Sequence, residues 1–178
     1  MRRSPMSRAA LILAAAALLS TPALAQSPTA SVTLLDQSGT NLGTLTLTEM
    51  DGGIHISGEL SGVPNGEHGF HIHETGVCDA SAKFESAGAH FEPGDNKHGS
   101  ENPEGPHAGD LTNVDADDNG MATVEIHSIN VTLAAGPNSV LDADGSAIVL
   151  HADPDDYLTD PGGNAGDRFA CGIIESAS

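Results

Sequence analysis

The chain has 178 residues, 25 of them acidic, six basic and nine histidine, for a formal net charge of −19. Three of the basic residues, Arg2, Arg3 and Arg8, sit at the N-terminus, so the rest of the chain sets only Lys83, Lys97 and Arg168 against all its carboxylates. That balance argues against nucleic acid or anionic lipid as a partner, because both are held through clustered lysine and arginine.

Met1 to Ala25 reads as a signal peptide. The arginines form a positive n-region, Ala9 to Leu19 is an uncharged apolar run, and Ala23-Leu24-Ala25 is a small-x-small cleavage site before Gln26. The run is short for a transmembrane anchor. Arg2-Arg3 hints at a twin-arginine signal, but Ser4-Pro5-Met6 follows it poorly, and general secretion fits better. The expectation is a secreted protein with no membrane contact in its mature form. Residues 26–178 then make one domain, long enough to bury a real core.

Short β-rich runs recur through that domain: Ser31–Leu35, Leu42–Thr48, Ile54–Leu60, His68–His73, Ala122–His127, Ala147–His151 and Phe169–Ile174. Turn formers such as Asp51-Gly52-Gly53 and Asn119-Gly120 separate many of them. Thr44-Leu45-Thr46-Leu47-Thr48 alternates as a half-buried strand should. No stretch after the leader has a convincing helical period. The fold class is all-β, a sandwich or barrel. Two long connections, 74 to about 120 and 152 to 167, interrupt the strand rhythm, and loops of that length in a compact domain are usually functional or disordered. Asp115-Ala116-Asp117-Asp118-Asn119-Gly120 matches half of an EF-hand loop, but its twelfth position is Ile126 and its flanks read as strands, so a hairpin turn is the better reading.

The chemistry concentrates between Gly66 and Asp110, where His71, His73, His90, His98 and His107 fall together with Asp110; His151 follows at the end of a later run. On a strand, residues i and i+2 share a face, so His71 and His73 project together while Phe70 and Ile72 turn into the core. Two imidazoles on one strand face make half a metal site. Neutral imidazole suits copper and zinc, and a carboxylate suits zinc. Cys78 and Cys171, in an exported chain, suggest one disulfide closing about 93 residues, the rival being a thiolate metal ligand.

Gly-Phe-His-Ile-His at 69–73, Ser-Ala-Gly-Ala-His-Phe at 86–91, His-Ala-Gly-Asp-Leu at 107–111, Ile-Val-Leu-His at 148–151 and Gly-Asn-Ala-Gly-Asp-Arg-Phe-Ala-Cys-Gly at 163–172 resemble copper/zinc superoxide dismutase. The likeness runs in order from about Ala30 to Ile174. The segment from Glu74 to Ala89, with Cys78 five residues after His73, is more similar to the bacterial, periplasmic members.

The resemblance implies an eight-stranded Greek-key barrel with two long functional loops. It implies dismutation of superoxide to oxygen and hydrogen peroxide by a copper redox cycle, with zinc structural. Copper would fall to His71, His73, His90 and His151, and zinc to His90, His98, His107 and Asp110, with His90 bridging the two. Asp155 would hydrogen-bond His71 and His98, and Arg168 would guide the anionic substrate beside the copper. The likeness also favours the Cys78–Cys171 disulfide. A metal-buffering protein would need the same ligands but not Arg168. The sequence is compatible with a monomer and with a homodimer. Residues 152–167 hold five aspartates and no lysine, so weak electrostatic steering of an anion is expected. His68, offset by three from His71, is expected to be structural and hydrogen-bonded, and His55 and His127 read as surface or core histidines.

Overall fold

The computed structural model describes residues 27–177. The expected signal peptide lies outside the described residues. Nine strands form one antiparallel sheet: β1 (Thr29–Asp36), β2 (Asn41–Met50), β3 (Gly53–Ser61), β4 (Gly66–His68), β5 (Phe70–His73), β6 (Val114–Ala116), β7 (Met121–Ser128), β8 (Ala147–His151) and β9 (Arg168–Ser176). Among the described residues, no helix is long and apolar enough to cross a membrane.

The strand order is β4-β6-β7-β3-β2-β1-β9-β8-β5. The two end strands, β4 and β5, are consecutive in the chain and separated only by Gly69. One run of chain therefore pairs with β6 at its start and with β8 at its end, which closes the sheet into a barrel. β3 pairs with β7 although β4 follows it in sequence, the crossing that makes the topology a Greek key.

The run expected as a single strand, His68–His73, is divided at Gly69, which accounts for nine strands where eight were expected. The Gly69 amide donates to the Asp153 carbonyl at 2.9 Å, and its own carbonyl accepts from the His151 amide at 2.8 Å. A Cβ at this position would stand 2.7 Å from the Ala165 side chain, so only glycine fits as the chain changes partners. β6 lies inside what reads as a connection. Three residues around a central aspartate carry too little pattern to mark a strand. The Asp117–Gly120 segment is the expected hairpin turn, with Asp117 accepting from the Asn119 and Met121 amides.

Strict alternation of burial along β7 and much of β1 and β2 shows one face in the core and one in water. The barrel interior is filled by Leu34, Leu45, Leu47, Ile54, Ile56, Leu60, Phe70, Ile72, Ile148 and Leu150, all fully buried. Each such side chain contributes about 1.5–3 kcal/mol relative to exposure. β5 and β8 differ, because every residue of both is buried. Their inner faces join the core, and their outer faces are covered by the two long loops. A second apolar cluster of Phe84, Ala87, Ala147, Val149 and Cys171 anchors the first loop there. The Cys78–Cys171 disulfide ties the same loop to β9, with a Cα–Cα distance of 5.7 Å.

Candidate metal centre

Alternation on β5 turns Phe70 and Ile72 inward and leaves His71 and His73 under the loops. β8 ends at His151, and the first long loop brings in His90, which forms an isolated bridge with His73. The ligand atoms of His71, His73, His90 and His151 all lie within 4.8 Å of one another, and so do those of His71, His90, His98 and Asp110. His71 and His90 lie closest, with ring centroids 4.1 Å apart.

Hydrogen bonds fix which nitrogen each imidazole can offer. His71 Nε2 donates to Asp155 Oδ2 at 2.8 Å, His73 Nδ1 to the Gly88 carbonyl at 3.0 Å, and His151 Nδ1 to the Gly166 carbonyl at 3.3 Å. In each neutral ring the other nitrogen then carries a lone pair. Those nitrogens, His71 Nδ1, His73 Nε2 and His151 Nε2, are buried and have no hydrogen-bond partner among the described residues. Three orphaned acceptors converging in one place are costly unless something electron-poor occupies the space between them. Burial, aided by the neighbouring imidazoles, holds His73 well below the usual histidine range and His151 at about 3. Burial likewise takes His90 to about 4 against the pull of Asp110. These rings are neutral at pH 7, the form that binds a metal.

The second cluster is centred on one oxygen. Asp110 Oδ1 lies 2.7 Å from His90 Nδ1, 3.0 Å from His98 Nδ1 and 3.3 Å from His107 Nδ1. Its other oxygen accepts from the Gly99 and His107 amides. Three nitrogens and a carboxylate suit tetrahedral zinc. Burial opposes ionisation of Asp110, but the bonds from His90 and His98 outweigh it and hold the carboxyl far below its ordinary range. His98 is fully buried between two carboxylates, with Nε2 2.9 Å from Asp155 Oδ1. Burial disfavours its charge, yet hydrogen bonds to Asp110 and Asp155 raise it to about 9.

Asp155 thus spans both clusters, one oxygen on His71 and the other on His98. Space for it depends on Gly163 (φ +62°), where any side chain would collide with its carboxylate.

Beside the first cluster, a cavity of about 550 Å³ is lined by His73, Gly88, His90, His151, Gly162 and Arg168, among others. Arg168 donates from Nη1 to the Phe84 carbonyl at 2.8 Å and from Nη2 to the Gly88 carbonyl at 2.7 Å. Glu85 approaches its guanidinium at 3.8 Å.

A model of the copper/zinc superoxide dismutase family (SODC) matches residues 41–174. A copper/zinc superoxide dismutase of Aquifex aeolicus is 46% identical over 144 residues, covering 80% of this chain and 85% of that protein. The chain belongs to the copper/zinc superoxide dismutase family. Another dismutase of the family, from Caulobacter vibrioides, is 46% identical over 140 residues, covering 77% of this chain and 80% of its own. The crystal structure of a SOD-like protein from Bacillus subtilis superposes with a TM-score of 0.77 at 38% identity, covering 80% of this chain and 96% of that one.

In this family member the candidate ligands His71, His73, His90, His98, His107, Asp110 and His151 gather around one centre with Asp155 and Arg168 beside them, while His55 and His127 lie apart on β3 and β7. His107 stands slightly apart, reaching the cluster through Asp110 but lying outside the tight groups. His68 is buried and spans two carbonyls, those of His151 at 2.9 Å and Pro64 at 2.8 Å. Three participants had no sequence signal. The carbonyls of Gly88 and Gly166 are backbone atoms, which no residue pattern reports. The third, Asn113, brackets Asp155: its Oδ1 accepts from the Asp155 amide and its Nδ2 donates to the Asp155 carbonyl, both at 3.0 Å.

Proposed function

We propose that this chain binds copper at His71, His73, His90 and His151 and zinc at His90, His98, His107 and Asp110, and dismutates superoxide to oxygen and hydrogen peroxide. The observation that carries the reading is the convergence of buried, unpartnered nitrogens of His71, His73 and His151 on one point beside His90. When bound, copper supplies a one-electron redox couple and zinc a fixed positive charge.

The residues do the rest. Gly88, Gly166 and Asp155 set the imidazole tautomers and orientations, so the lone pairs are aimed before any ion arrives. His90 faces both sites, Nδ1 toward Asp110 and Nε2 toward the cavity, and is the atom pair through which a proton can be held or released between turnovers. Arg168 presents a permanent positive charge at the cavity, where it draws in an anion. The disulfide and the leader pattern support secretion into an oxidising compartment such as the periplasm.

Mature protein loaded with copper and zinc should consume superoxide rapidly in a stopped-flow assay. Full metal content without turnover would overturn this reading and leave a metal buffer.

Asp155→Ala strips an acceptor from His71 and His98 together. Loss of a carboxylate that orients ligands costs about 10–100-fold in metal affinity, and zinc, with His98 held on both sides by carboxylates, should suffer most. Competition with a chromophoric chelator measures it, and an unchanged zinc affinity would remove Asp155 from the site.

Zinc uptake should also depend on pH in a defined sense. With its pKa raised to about 9, His98 keeps its proton at neutrality and loses it only as pH rises through that value. Zinc must displace this proton, so apparent zinc affinity should climb about tenfold per pH unit from neutrality and level off above about 9. A flat profile would contradict the assignment of His98 to zinc.

A further inference from the structure

His55 and His127 take no part in the buried centre. They are direct partners in the β3–β7 register, where paired side chains stand about 4.5–5.5 Å apart at Cβ. His127 is exposed and His55 partly so. Glu125, two residues before His127 and so on the same face, accepts from His55 Nε2 at 2.8 Å. In the neutral ring this leaves the lone pair on Nδ1. It is the device seen at the buried centre, where an oxygen acceptor holds one N–H and frees the other nitrogen for a metal.

The surroundings favour a cation. No lysine or arginine occurs on β2, β3 or β7. The neighbours across the ladder are Thr48 opposite His55 and Ser57 opposite Glu125, small polar side chains that leave room for coordinated water.

We propose that His55 and His127, with Glu125 orienting His55, form a surface site for one divalent transition-metal ion. Imidazole pairs select the late first-row metals over magnesium or calcium, and among divalent ions Cu(II) binds most tightly. The site lies on the outer face of the barrel and is open to solvent, so it takes up an exchangeable ion rather than a resident one.

The test uses protein already loaded with copper and zinc, titrated with Cu(II) and read by electron paramagnetic resonance of the added ion. One further equivalent should bind at micromolar Cu(II) with hyperfine splitting from imidazole nitrogen. Glu125→Gln should weaken it about tenfold. The double variant His55→Gln/His127→Gln should abolish it while both resident metals and superoxide turnover stay as in the wild type. Absence of a third equivalent, or its retention in the double variant, would overturn the proposal. Turnover measured on the same samples separates this outcome from failure of the dismutase reading, because the surface site is judged on the third equivalent alone.

Discussion

Arg168→Ala should lower superoxide turnover by about 10–100-fold, the worth of one charge-assisted hydrogen bond to the anion, made at short range in the cavity where salt screens little. Arg168 belongs to neither ligand set, which by itself would leave the metals untouched. The structure makes the test more demanding, because Arg168 Nη2 shares the Gly88 carbonyl with His73 Nδ1. Removing the guanidinium therefore loosens the loop that orients His73. Arg168→Lys separates the two roles: it keeps the charge but not the two-pronged hold on Phe84 and Gly88. Turnover recovered by lysine would assign the effect to charge, whereas turnover lost in both variants with copper content reduced would assign it to the loop. Equal turnover in wild type and Arg168→Ala would remove Arg168 from the reaction. Added salt should change the wild-type rate only weakly. Lys97 sits 3.7 Å from Asp160 and the loop beside the cavity is acidic, so little long-range attraction exists for ions to screen. A steep fall with salt would contradict this.

Replacing Cys78 and Cys171 by serine should be the most destabilising change in the metal-free protein. The cross-link closes 93 residues, worth about 4–5 kcal/mol in the chain-entropy model. Against a typical total of about 5–15 kcal/mol, that is a large fraction. The effect should appear as a marked drop in the denaturant midpoint, and an unchanged midpoint would show that the loop is held by Phe84 and Ala87 alone. A second consequence is local. The disulfide pins the segment whose Gly88 carbonyl fixes His73 and Arg168, so the double variant should also bind copper more weakly than zinc relative to wild type.

Much of this was legible in the chain. The alternation of Thr44 to Thr48 marks a half-buried strand because the side-chain period of a strand is two. The same period places His71 and His73 on one face and Phe70 and Ile72 on the other. The family likeness was legible too, since the ligand-type residues sit in short motifs with distinctive neighbours. What escaped was whatever depends on backbone atoms or on chain segments far apart. Gly69 reads as one more glycine in a strand, yet it is where the chain leaves β6 for β8. Val114–Ala116 is too short to show a period, and Asn113 acts on a residue 42 positions away.

By itself, then, the sequence determined an all-β domain with a buried imidazole cluster, because strand periodicity and residue chemistry are local properties. Tertiary structure alone decided which nitrogen of His71, His73 and His151 is free. That choice is made by Gly88, Gly166 and Asp155, acceptors brought in by loops from 15 to 84 residues away. Closure of the barrel at Gly69 brings β5 beside β8, the two long loops bury both strands, and burial keeps His73, His90 and His151 neutral.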